Sequence, residues 1–201
     1  MKICLEILLF FILFGVVLGE ADNPTKFDYL KVKGHTVETK HQARYKIKVG
    51  KSFQLLGEFH HQPIYENKQF NVSLAAFFKN EEIIMIHAET HTDGSGGLDY
   101  SNLKVDSLNN LKFTSRDQCA PIEAEAELAS NPEIKFLRGK GFSVALPFYL
   151  KQYLTTAADG TAEVVISYGK HVASCDEKTI TDEFKKQIEQ KVVENIKIVK
   201  N

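Results

Sequence analysis

Residues 83–91 read IIMIHAETH, and whether they form a helix or a strand decides the fold. Two of the chain's seven histidines stand four apart here, with a glutamate midway. A zinc-protease helix places the glutamate directly after the first histidine, H-E-x-x-H, and uses the helical turn to bring both rings to one metal. Glu89 instead lies two positions beyond His87. The preceding Ile83, Ile84 and Ile86 are β-branched, which favours a strand. In a strand the first and fifth residues lie about 13 Å apart, so His87 and His91 cannot hold one zinc. A mixed site of Glu89 with one of these histidines and His60 or His61 is the metal geometry left open; none is expected, nor any cofactor.

Alternation along the strand puts Ile84, Ile86 and Ala88 on one face and His87, Glu89 and His91 on the other. The apolar set belongs in the core. The polar trio then lies on the outer face of a sheet, either as ordinary solvated surface or as a platform for a polar ligand.

Outward from this stretch, Thr36 to Cys175 is a series of short runs with period two or rich in β-branched and aromatic residues: YKIKV, SFQLLGEF, FNVSLAAFF, LDYSNLKV, PIEAEAEL, EIKFL, FSVALPF and AEVVISY. The turn chemistry falls between them, in TDGSGG (92–97), SNPE (130–133), RGKG (138–141) and ADG (158–160). This is an all-β pattern whose default solution is two stacked antiparallel sheets. In FNVSL, Phe70, Val72 and Leu74 are assigned to the core and Asn71 and Ser73 to the outer face beside HAETH. Asn71 heads the one N-x-S/T sequon without proline and is the expected glycosylation site.

The ends differ in character. Residues 1–19, MKICLEILLFFILFGVVLG, have the form of a secretory signal peptide, with cleavage expected after Gly19. The apolar run is short for a spanning helix, so no stable membrane insertion is expected. Residues 20–34 form an N-terminal segment, 35–175 the β domain and 176–201 a helical tail. In the tail Phe184, Ile188, Val192, Ile196 and Val199 fall on one helical stripe, and Thr179 with Asp182 approximates a capping box. That amphipathic helix either packs on the β domain or offers its stripe to a membrane surface or a protein partner. Net charge is -1, so no strong overall field attracts nucleic acid or acidic membrane. Cys4 leaves with the signal; Cys119 and Cys175 either pair, as an oxidising compartment allows, or remain two buried thiols.

No catalytic constellation is present: there is no G-x-S-x-G elbow and no phosphate loop, and the chain is not expected to be an enzyme.

The order of segments resembles the galectins, the β-galactoside-binding lectins. YKIKVGKSFQLLGEF is similar to their opening strands, KQFNVSLAAF to the next, EEIIMIHAETH to the strand carrying the sugar-binding histidine, and RGKGFSVALPFYL to N-G-x-x-F-x-x-F-P-H-R-L. The resemblance covers about residues 35–172 and implies a two-sheet jelly-roll sandwich of the concanavalin type. It also implies a carbohydrate site of His87, Glu89, His91, Asn102, Phe113 and Arg116. Of the family's H-x-N-P-R only His87 matches, with Glu89 for asparagine and His91 for arginine. The chain has no tryptophan to stack on galactose, and Phe113 is the nearest substitute. The resulting expectation is a secreted carbohydrate-binding protein with altered or lost β-galactoside specificity, partnered by a glycan or glycoprotein. The alternatives are a galectin-like protein-interaction module and a secreted jelly-roll hydrolase, which needs two carboxylates facing one another across the sheet.

Overall fold

The computed structural model describes residues 27–65, 67–95 and 100–200. The segment read as a signal peptide lies outside them. In chain order the elements are β1 (Leu30–Lys33), β2 (Thr36–Thr39), β3 (Tyr45–Val49), β4 (Gln54–His61), β5 (Ile64–Tyr65), β6 (Lys68–Lys79), β7 (Glu82–His91), β8 (Lys104–Leu108) and β9 (Leu111–Ala120). After a 3-10 turn at Ile122–Ala124 come α1 (Glu125–Ser130), α2 (Pro132–Gly139), β10 (Phe148–Thr156), β11 (Ala162–His171), α3 (Asp182–Asn195) and β12 (Ile196–Lys200).

The chain is mostly β, in two antiparallel sheets, as expected. The smaller has the order β1-β2-β3-β12; the larger runs β4-β6-β7-β11-β10-β9-β8, with β5 added on β6. Tight turns set the hairpins: Asn109 and Asn110 both take positive φ (53° and 64°) between β8 and β9, the geometry of a two-residue type I′ turn. The Asn109 side chain also accepts a hydrogen bond from the Ile198 amide at 2.8 Å, tying β12 to that hairpin.

The large sheet is buried on both faces. One face packs Phe77, Ile84, Ile86, Val164 and Tyr168 against Tyr45 and Ile47 of the small sheet and Ile188 and Val192 of α3. On the other, Leu74, Ile83, Met85 and Leu150 meet Leu128, Ile134 and Leu137 from α1 and α2. Cover on both sides is the reason that Ile83–Ile86 reads as a continuous apolar run before alternation begins. Where α3 crosses the large sheet, the buried Lys151 ammonium lies 3.4 Å from Asp117, 3.4 Å from Glu189 and 3.8 Å from Asp106.

Several local readings are corrected. PIEAEAEL and EIKFL are not strands: they form the 3-10 turn, α1 and α2. Ala, Glu and Leu are strong helix formers, and Asn131-Pro132 is a helix start, with asparagine at the N-cap and proline at the first position. Residues 142–147 of FSVALPF have no regular structure before β10 begins at Phe148. The helix of the tail ends at Asn195, and IKIVK becomes β12, pairing with β3, because its β-branched residues complete an otherwise open sheet edge. Thr181, not Thr179, caps α3, accepting from the Phe184 amide at 3.1 Å. Ile188 and Val192 are spent in the core, so the helix's apolar stripe is not open to a partner, and Val199 is 60 % exposed on β12. Cys119 and Cys175 form the disulfide, closing a separation of 56 residues.

Candidate functional site

Antiparallel partners share a face of a sheet, and the register therefore decides what accompanies His87. Its neighbours on β6 and β11 are Leu74 and Val165; those of Glu89 are Val72 and Glu163; that of His91 on β6 is Phe70. The common face of His87, Glu89 and His91 is as the alternation predicts. Phe70, Val72 and Leu74 are buried as assigned but lie on this same face, which overturns the placement of Asn71 and Ser73 beside HAETH. Asn71 and Ser73 point to the other face, where Asn71 contacts Tyr29 and Gln62. Alternation cannot assign faces in a strand that is apolar on both sides.

The face is not open. His87, Glu89 and His91 are 6 %, 7 % and 3 % exposed. Over His87 stands Glu133, held at the start of α2 by Asn131, whose side chain accepts from the Glu133 and Ile134 amides at 2.9 and 3.1 Å. Glu133 Oε1 accepts from His61 Nε2 at 2.8 Å and Oε2 from His87 Nε2 at 3.2 Å, so one carboxylate joins β4, β7 and α2. Burial favours the neutral forms, but the facing charges outweigh it. Glu133 is held well below the usual carboxylate range by its two histidines, and His87 is raised by the charge and hydrogen bond of Glu133. Replacing Asn131 by Ala should cost about 1–2 kcal/mol. Thermal unfolding measures that loss, and an unchanged midpoint would show that α2 holds Glu133 without its cap. Beside Glu133 is a cavity of about 50 Å³ with otherwise apolar walls that include Ile83, Met85, Leu137 and Phe148.

Next to His87, Glu89 and Glu163 are direct cross-strand neighbours, both buried. Burial and then the Glu163 charge push Glu89 up to about 8, which favours its neutral carboxylic acid form at pH 7, able to donate and accept. Tyr100 donates to Glu163 Oε2 at 2.6 Å, and burial with the Glu163 and Glu89 charges raises its phenol. Arg116 Nε donates to Gln152 Oε1 at 2.7 Å and Gln152 Nε2 to Ser167 Oγ at 3.1 Å. Arg116 is the half-buried member, and its charge reaches Glu89 and Tyr100.

Of the residues taken from the resemblance, the structure brings together His87, Glu89 and Arg116. His91 is on the same face but turns to Ser95 Oγ at 2.8 Å and meets the Phe70 ring edge-on at 4.3 Å. Phe113 faces the inter-sheet core, 2 % exposed between Tyr45 and Tyr153, because it alternates with Arg116's side of β9. It is no aromatic platform for a sugar beside His87. Asn102 is exposed in the turn before β8. Sequence reasoning missed Glu133, hidden in a segment misread as a strand. It also missed Glu163, Tyr100 and Gln152. Glu163 does alternate with Val164 and Ile166 in AEVVISY, but nothing local names Glu89 as its partner.

Among the described residues no group of three or more His, Cys, Asp or Glu side chains is arranged to hold a metal ion, and no helix is long and apolar enough to cross a membrane. No family model, curated protein or solved structure matches the chain.

Proposed function

We propose that this chain is a secreted carbohydrate-binding protein whose site is the polar patch of His87, Glu89, Glu163, Arg116, Gln152 and Tyr100, without β-galactoside specificity. The observation that carries this reading is the mixture of donors and acceptors on one face: a neutral acid at Glu89, a guanidinium at Arg116, an amide at Gln152 and a phenol at Tyr100. Sugar hydroxyls both donate and accept, so they match such a set better than an ion of one sign does. The galectin-like jelly roll enters this proposal through the two antiparallel sheets and the histidine strand. The face covered by α1 and α2 and the inward Phe113 argue for a different sugar.

Titration calorimetry with an array of neutral glycans, at about pH 5.5 and about pH 7.5, tests the proposal. Binding at both is expected, with at least about a tenfold loss in His87→Ala. No binding at either pH sinks the lectin reading. Turnover has one observation in its favour, the pairing of a protonated Glu89 with a second carboxyl group at Glu163. The two carboxyls are direct cross-strand neighbours side by side on one face, and do not flank a bond from opposite sides, which favours binding without cleavage. Release of reducing ends by the native protein but not by Glu163→Gln would replace binding with hydrolysis.

A further inference from the structure

The overall charge of -1 conceals an uneven distribution. The four strands of the small sheet turn Val37, Tyr45, Ile47, Ile196 and Ile198 inward, so the alternate positions form an outer face. The register aligns those positions in rows. Lys33 pairs with Thr36, Thr36 with Lys48 and Lys48 with Lys197, one residue from each of the four strands. The next row is Lys31, Glu38, Lys46 and Val199. Glu38 is the single acid in these strands, and it is committed to Lys46 at 2.8 Å. Lys197, exposed on β12, also donates to the Val193 carbonyl in the last turn of α3 at 2.5 Å.

We infer that this outer face binds a sulfated or carboxylated polysaccharide, a polyanion lying across the strands along Lys33, Thr36, Lys48 and Lys197. That row spans three inter-strand spacings, about 14 Å, with cations at both ends, a hydroxyl donor between them and no acid. Each lysine of the row lies about a Debye length or less from the next, so an anionic chain laid across the strands meets them in succession. A lipid surface is the poorer match. Val199 is the one apolar side chain among the eight positions of these two rows, and interfacial binding needs a buried apolar face as well as cations. Nucleic acid is poorer too, because none of these eight positions carries an aromatic ring on which a base can stack. The site is separate from the buried patch around His87, on the opposite side of the inter-sheet core.

The test is binding of the full secreted chain to dextran sulfate, with uncharged dextran, phosphatidylserine vesicles and single-stranded DNA alongside. Three lysine contacts predict an affinity for dextran sulfate that falls roughly 20- to 40-fold between about 50 and about 200 mM salt, by the counterion-release slope for linear polyanions. The triple variant Lys33→Gln, Lys48→Gln, Lys197→Gln should lose the binding. Equal neutralisation at the exposed Lys135, Lys178 and Lys186 should leave it, and Glu38→Gln, which releases Lys46, should strengthen it. Retention in the sheet variant, equal loss in the control variant, or tighter binding to vesicles or DNA than to dextran sulfate would overturn the proposal. His87→Ala should leave dextran sulfate binding intact, so this inference and the neutral-sugar reading fail separately.

Discussion

Replacing Glu133 by Ala should lower stability by about 3–5 kcal/mol, the cost of removing one member of a buried ion pair and leaving its partners enclosed. For a chain of this size that corresponds to a melting midpoint lower by roughly 6–20 °C. The carboxylate is shared by His61 and His87, and its loss strands two imidazoles that have little access to water. The pH dependence has a defined sign. Glu133 is depressed below the ordinary carboxylate value of 4.5, so its stabilisation is present above that value and disappears as pH falls through the folded pKa. His87 is raised above 6.5, so its contribution is full below that value and disappears as pH rises through the raised pKa. A combined His61→Phe, Glu133→Leu, His87→Leu variant removes charge and partners together and should recover much of the loss, since apolar replacement of a buried ionic cluster is often neutral or better. An unchanged midpoint in Glu133→Ala would mean that α2 does not bear on the two histidines.

The second large effect is at Glu89. Its pKa rises from 4.5 to about 8 on folding, so the folded chain holds a proton that the unfolded chain releases. Stability is then full below 4.5 and declines as pH rises through about 8, by about 1.4 kcal/mol for each pH unit within that window. His87 adds to the decline with the same sign above 6.5. Glu89→Gln keeps the shape and the neutral hydrogen bonding but cannot ionise. It should match the native protein near pH 5 and exceed it near pH 8 by several kcal/mol, on the order of three units of that slope. Urea unfolding at the two pH values measures the difference. Equal slopes in the two proteins would show that Glu89 is ionised throughout.

The strand at 83–91 was legible because alternation and β-branching are local properties, and α3 was legible because the stripe of Phe184, Ile188 and Val192 lies within one short segment, although its cap is Thr181 and not Thr179. The failures have physical causes as well. In IEAEAEL a period of two coincided with residues of high helix propensity, and the helix prevailed because Asn131-Pro132 starts α2 and the helical pair buries Leu128, Ile134 and Leu137 on the sheet. In FNVSL both faces are covered, so hydrophobicity could not choose between them. In IKIVK an apolar stripe continued α3 on paper, but pairing with β3 satisfied the backbone of both strands.

The sequence by itself determined the β character, the strand nature of HAETH, the exclusion of a two-histidine zinc helix and the amphipathic segment at the C-terminal end. It left the pairing of Cys119 with Cys175 open beside two free thiols. Only the tertiary structure decided that Glu163 faces Glu89, that Glu133 bridges His61 and His87, that Phe113 turns away, and that lysines from β1, β3 and β12 fall into one row. These depend on which strands pair and in what register. Register is set by long-range burial among segments tens of residues apart, and the side-chain order within any single strand does not contain it.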